Sequence, residues 1–282
     1  MEAKSLILVG NPDSGKSNFV AGLWLALQSQ KFNLRAVVPP SDIKYVEELV
    51  DHILRGKFAP RTDKEEESDR EFNISISSKQ TDINANICIP DMSGEMWKKA
   101  VKDLEISEKW MLKLKESSGA FLFVRVLSPL NVQPLDWVAC SQILQLGVEN
   151  TEHTGQVPTQ VSLIELLRFL EENLYSDGLQ KPKVAIVVTA WDLLNAEDAK
   201  TGPDGYLQAQ FPMFAGRLND KCNLNVKVFG LSSIGGNLDA AEFSKKFKEG
   251  ESDHKGYVVT RDIDNNLKTI NDITSPIEWI LG

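Results

Sequence analysis

The chain has 282 residues, of which 42% are hydrophobic and 25% charged, a globular mixture long enough to bury a core and unlike a disordered polymer. A formal net charge of −9 with no Lys/Arg cluster argues against nucleic acid as a partner, and no apolar run approaches the ~20 residues of a membrane span. Cys88, Cys140 and Cys222, like His52, His153 and His254, are too scattered for a metal-ligand spacing; with no secretory leader in the opening MEAKSLILVG, a reducing, cytoplasmic setting is expected.

The chain opens with Ser5–Val9, an apolar run that stops at glycine as a buried strand does. Gly15–Ser29 then reads as a helix carrying Phe19, Leu23, Leu25 and Leu27, and Leu34–Val38 as a strand ended by Pro39 and Pro40. Ser41 is placed to cap a helix over Asp42–Leu54, with Ile43, Val46, Leu49, Val50 and Ile53 at helical spacing. After the charged stretch Arg61–Arg70, strands at Phe72–Ser77 and Asn84–Pro90 are joined too tightly for a parallel pair, which predicts an antiparallel hairpin.

One helical segment is expected over Met96–Glu116, then a buried strand at Ala120–Val126. Ser128–Pro158 is irregular, with three prolines. A helix at Thr159–Leu174, a strand at Val184–Thr189, a helix at Tyr206–Leu218 and a strand at Leu224–Leu231 complete the alternation. Gly235–Asn265 has little pattern, and Ser275–Leu281 reads as a short helix opening near Pro276. Strands alternating with helices predict an α/β sheet covered on both faces. The motifs run from residue 10 to residue 233, so a single domain over 1–282 is expected, with insertions near 128–158 and 235–265.

Gly10-Asn11-Pro12-Asp13-Ser14-Gly15-Lys16-Ser17 fits G-x-x-x-x-G-K-[ST] without a mismatch, between a strand and a helix as that motif requires. Glycines let the backbone wrap a phosphate closely, and amides from about Asp13 onward, into Ser17 and Asn18, point at it with the helix N-terminus. Lys16 is expected at the β- and γ-phosphates and the Ser17 hydroxyl on Mg²⁺. Downstream, the apolar strand Ile87–Pro90 ends in Asp91-Met92-Ser93-Gly94, a D-x-x-G that places Asp91 to support Mg²⁺ through water and Gly94 to sense the γ-phosphate. Met92 stands where transporter-type and ring-forming ATPases usually carry a second acid.

A switch of this kind needs a hydroxyl between the first helix and the hairpin to complete the Mg²⁺ shell. Thr62 is the candidate, with Thr81 the weaker choice and an ordinary loop role for Thr62 left open; Arg61 beside it is a candidate arginine in cis. Thr189-Ala190-Trp191-Asp192 follows a buried strand where a guanine-reading N/T-K-x-D belongs. Asp192 can accept from guanine N1 and N2; the alternative is a helix N-cap. Ser232 and Ser233 close the last predicted strand, where a loop amide would support the guanine oxygen.

Together these residues resemble the translation-factor-related (TRAFAC) GTPases, and among them the bacterial double-GTPase-like domains associated with conflict systems. Val9–Ser17, Ala21-Gly22-Leu23-Trp24, Pro60–Thr62, Pro90–Glu95, Thr189–Asp192 and Pro276–Leu281 carry the likeness. The resemblance implies a P-loop NTPase fold, Ras-like, with a mostly parallel sheet, one antiparallel hairpin strand and helices on both faces. It also implies Mg²⁺-dependent binding of GTP and GDP, slow hydrolysis, and a protein partner, either an effector or a second GTPase-like protein. Ala190 in place of the usual lysine keeps an ATPase of the same fold as an alternative. Glu95, where Ras-like enzymes usually place glutamine, keeps a nucleotide-holding module without turnover as another.

Overall fold

The computed structural model describes residues 3–40, 43–59, 71–79, 84–90, 93–134, 157–176, 178–220, 223–249 and 256–282. The expected cap Ser41 and the candidates Arg61, Thr62, Thr81 and Asp91 lie outside the described residues.

The first half of the chain runs β1 (Ala3–Val9), α1 (Lys16–Ser29), β2 (Leu34–Val38), α2 (Ile43–Leu54), β3 (Glu71–Ser78), β4 (Asn84–Pro90), α3 (Gly94–Asp103), α4 (Glu108–Glu116) and β5 (Ser117–Arg125). The second half adds α5 (Thr159–Asn173), β6 (Lys183–Thr189), α6 (Ala196–Lys200), α7 (Gly202–Gln210), α8 (Pro212–Asn219), β7 (Asn225–Ser232), α9 (Ala241–Lys248), β8 (Tyr257–Arg261), β9 (Leu267–Ile270) and α10 (Ser275–Leu281). Among the described residues, the strands join one nine-stranded sheet in the order β2-β3-β4-β1-β5-β6-β7-β8-β9. The pairings from β4 through β1, β5 and β6 to β7 are parallel. The expected β3–β4 hairpin is antiparallel, with Phe72 opposite Ile89 and Ile74 opposite Ile87.

The central strands carry apolar stretches, Leu6–Val9, Ala120–Val124 and Val184–Val188, because both faces are covered there. Alternate residues feed two cores. Leu6, Leu8, Phe121, Phe123, Ala185 and Val187 face the layer of α1 and α2. Ile7, Val9, Leu122, Val124, Ile186 and Val188 face the layer of α3, α4, α5, α7 and α8. α1 is buried from Phe19 through Trp24 and on to Leu27, with α2 packed against it. Its small residues Ala21 and Gly22 allow that enclosure.

Three sequence expectations change. The single helix over 96–116 is two: the chain turns at Leu104, which has a left-handed φ of 54°, and α4 starts after Ser107. The apolar spacing continues through Trp97, Val101, Trp110 and Leu114, so periodicity alone hid the break. The helix over 206–218 is likewise split, α7 ending at Gln210 and α8 opening on Pro212 at its first position, where a proline is tolerated. Residues 235–265, with little pattern, supply α9 and β8, and β8 pairs antiparallel with β7.

Trp97 on α3 is completely buried, and its indole Nε1 donates to the Leu8 carbonyl of β1 at 3.1 Å. Trp97→Ala is expected to lower the unfolding free energy by about 3–5 kcal/mol in denaturant titration; a loss under about 1 kcal/mol would show that α3 is not anchored there.

Candidate functional site

The motif residues gather at the carboxyl ends of β1, β4, β5, β6 and β7, the usual ligand edge of an open α/β sheet. Gly10–Gly15 turn from β1 into α1. Gly15 is left-handed, with φ 91°, and a Cβ on it would lie 3.0 Å from Thr189 Oγ1. That hydroxyl, buried at the end of β6, donates to the Ser14 carbonyl at 2.8 Å. The Lys16 ammonium folds back into the loop and donates to the carbonyls of Gly10 at 2.8 Å and Asn11 at 3.2 Å and to Ser14 Oγ at 3.2 Å. No acidic residue occupies the first turn of α1 and no side chain caps it. The amides at its start therefore keep their partial positive charge beside the lysine. Ser17 is half-buried in this first turn.

Neighbouring elements grip the loop on several sides. Asn11 Oδ1 accepts from Ser162 Oγ on α5 at 2.9 Å. Asp13, left-handed at φ 64°, pairs with Arg125 at the end of β5. Just beyond β5, Val132 and Thr159 fasten the chain to itself: the Thr159 amide donates to the Val132 carbonyl at 2.8 Å, and the Val132 amide donates to Thr159 Oγ1 at 2.8 Å. The Asn18 side chain accepts from the Ala59 amide at 3.0 Å. This ties α1 to the chain shortly before Arg61 and Thr62.

Gly94 opens α3 directly against the loop. A Cβ on it would stand 2.4 Å from the Pro12 nitrogen and 2.5 Å from Pro12 Cα, so only glycine fits the approach. Ser93 caps α3 by accepting from the Met96 amide at 3.2 Å, and Glu95 sits in the first turn, where a carboxylate also suits the helix dipole.

The other end of the site lies between β6 and β7. Asp192 is inside a short 3₁₀ turn, Trp191–Leu193, preceded by left-handed Ala190 at φ 55°. The following helix α6 is capped by Asn195, which accepts from the Asp198 amide. Asp192 therefore caps neither helix, and its carboxylate takes no hydrogen bond from a described side chain. Trp191 packs against Gly230, where a Cβ would meet the indole at 2.7 Å. Ser232 is fully buried and accepts from the Gly235 amide. The Ser233 carbonyl lies 3.1 Å from where a Gly22 Cβ would be, which brings this loop against α1.

Tyr257 is a neighbour that sequence reasoning missed. As the first residue of β8 it pairs with Ser232. Burial pushes its phenol up from the ordinary tyrosine range, and the Asp192 charge adds to that. Its only sequence signal is the short run Tyr257–Thr260 after a glycine.

A phosphate loop between β1 and α1, closed by Gly94 and by Thr189 at the carboxyl edge of a sheet that is parallel in its middle and antiparallel at both edges, defines a P-loop GTPase-type domain. The chain belongs to the family described as Double-GTPase 1, which it matches over residues 7–280, and it is a GTP-binding domain. No curated protein matches it. Similar solved structures include a bacterial selenocysteine-specific elongation factor, EF-Sec, at 14% identity and a TM-score of 0.38, covering 90% of this chain and 30% of that one. Another is the G domain of the T. maritima FeoB iron transporter, at 15% identity and a TM-score of 0.35, covering 89% of this chain and 100% of that one. A third is Methanosarcina barkeri Roco2 RocCORdC bound to GDP, at 12% identity and a TM-score of 0.31, covering 90% of this chain and 51% of that one. The chain thus spans about 30% of the elongation factor's length. Among the described residues, no helix is long and apolar enough to cross a membrane.

Gly94→Ala should leave helix propensity unharmed, since alanine is the better helix former, yet force α3 off the loop. Nucleotide titration is expected to show roughly tenfold weaker triphosphate binding, a loss of ~1.4 kcal/mol; undiminished affinity would mean that the approach of Gly94 has no bearing on the ligand.

Proposed function

We propose that the chain is a Mg²⁺-dependent guanine-nucleotide switch of the TRAFAC class. It hydrolyses GTP slowly to GDP and phosphate and reports its nucleotide state to a protein partner, an effector or a second GTPase-like protein. The observation that supports this most directly is the phosphate loop: Lys16 turned into a ring of loop oxygens, with Gly94 against its rim. The whole chain acts as one domain in this reading, in the cytoplasm, and the resemblance to conflict-associated domains suggests a bacterial defence setting.

The roles follow from position. The backbone of Gly10–Gly15 and the amides entering α1 hold the phosphates, and Lys16 replaces its loop carbonyls with β- and γ-phosphate oxygens. Ser17, Thr62 and Asp91 are hard oxygen donors of the type Mg²⁺ prefers. When bound, the ion neutralises charge building on the phosphates. Thr189 braces the loop, Asp192 reads guanine N1 and N2, and Ser232 and Ser233 shape the base end. Arg61 is the candidate arginine in cis.

Base reading is tested at Asp192. Asp192→Asn turns one acceptor into a donor, and is expected to cost GTP affinity about 2–3 kcal/mol, the scale of an unsatisfied buried group, while favouring xanthine nucleotides. Competition titration of GTP against XTP checks this. A mutant that keeps its GTP preference assigns Asp192 no part in the base pocket.

Turnover is tested at Glu95. A carboxylate about 5 Å from a γ-phosphate, at an effective dielectric near 20, is repelled by about 3 kcal/mol. Glu95 should therefore turn away from the triphosphate, leaving intrinsic hydrolysis slow, on the order of 10⁻⁴ per second. In single-turnover GTP hydrolysis, Glu95→Gln and Glu95→Ala are expected to match or exceed the wild type. A tenfold loss in both would instead make Glu95 the catalytic base.

A further inference from the structure

Asp13 places an acid in the phosphate loop, where a ligand of the same sign is to bind. Its carboxylate is not left to itself. Arg125 Nη1 meets Asp13 Oδ1 at 2.5 Å, with side-chain exposures of 27% and 17%, and Ser128 Oγ donates to Asp13 Oδ2 at 3.4 Å. Both carboxylate oxygens are thus engaged from the end of β5. Arg125 is rigidly placed, because Phe121–Val124 ahead of it are buried and it stands in register with Thr189 of β6. Thr189 holds Ser14, so the adjacent loop residues 13 and 14 are each gripped by the last residue of a central strand. Asp13 is also left-handed, a conformation that a non-glycine residue keeps only when its surroundings fix it.

We propose that Arg125 is a positioning residue for nucleotide binding: paired with Asp13, it holds the left-handed turn of the phosphate loop and cancels a charge that would repel the phosphates. The proposal rests on the reading of Gly10–Ser17 as a phosphate loop. A wholly exposed ion pair would contribute little. This pair is mostly shielded and stands beside the loop, so its charge balance is felt by any polyanion bound there, and more by three phosphates than by two.

The test is a double-mutant cycle, read by fluorescence titration with mant-labelled GTP and GDP, with thermal melting to verify folding. Arg125→Gln is expected to weaken mant-GTP at least tenfold and mant-GDP less. In an Asp13→Asn background, where the acid is gone and asparagine still tolerates the left-handed turn, the same change removes only the guanidinium's own attraction for the phosphates and should cost clearly less than in the wild type. Arg125→Lys should recover most of the loss. Asp13→Asn alone, which leaves the guanidinium uncompensated beside the phosphates, should tighten mant-GTP, and adding salt should erase that gain. This last variant serves if Arg125→Gln does not fold. A loss under twofold in Arg125→Gln, an equal loss in both backgrounds, or weakened mant-GTP in Asp13→Asn overturns the proposal. Lys16→Ala in the same assay separates the two levels. If it abolishes binding while Arg125→Gln does not weaken it, only the Arg125 assignment fails; if it binds like the wild type, the phosphate-loop reading fails.

Discussion

The buried hydrogen bond from Thr189 to the Ser14 carbonyl joins two strands' worth of chemistry. Thr189 ends β6, and the next residues lead to Asp192; Ser14 lies in the loop that leads to Lys16. With that bond in place, a Cβ at position 15 would crowd the Thr189 side chain at 3.0 Å, and the left-handed turn there delivers the amides at the start of α1 to one point. Without it the phosphate end and the base end would be two unrelated loops. The parallel register of β1, β5 and β6 fixes the spacing between them, and the two cores fix the register.

This arrangement explains why so many residues around the loop are small or singly bonded. Gly94, Gly15 and Gly22 each stand where backbone meets backbone or a short side chain. Larger anchors are kept one layer back. Trp97 hangs α3 from β1, and Trp191, next to Asp192 in the chain, packs against Gly230. Rigid aromatic packing behind a glycine-lined surface leaves the rim shaped for a ligand while the scaffold bears the strain.

The sheet and the loop were legible because their patterns are dense. Leu6–Val9, Ala120–Val124 and Val184–Val188 are apolar runs, and Gly10–Ser17 combines fixed residue types with fixed context. Elements that depend on tertiary partners were not legible. The turn at Leu104 carries no glycine or proline, and β8 is a short run whose pairing with β7 only the folded sheet supplies. The contacts of Asp13, Arg125 and Ser162 with one another's elements were invisible for the same reason. They are single side chains brought together over long sequence distances, with no period to betray them. Asp192 shows the opposite case: its residue type suggested two roles, and the capping of α6 by Asn195 removed one of them.

The fastening of Val132 to Thr159 carries a consequence for how such a domain diversifies. The exit and return of the intervening stretch are closed on each other by two backbone-directed bonds, so the sheet does not sense how much chain lies between them. For a flexible connection, doubling the length adds only about 0.6 kcal/mol of closure entropy. Evolution can therefore swap, trim or extend this stretch as a cartridge without refolding the scaffold. Ser128, ahead of the exit, reaches Asp13 and Ser162, behind the return, reaches Asn11, so both anchors of the stretch are also tied to the phosphate loop.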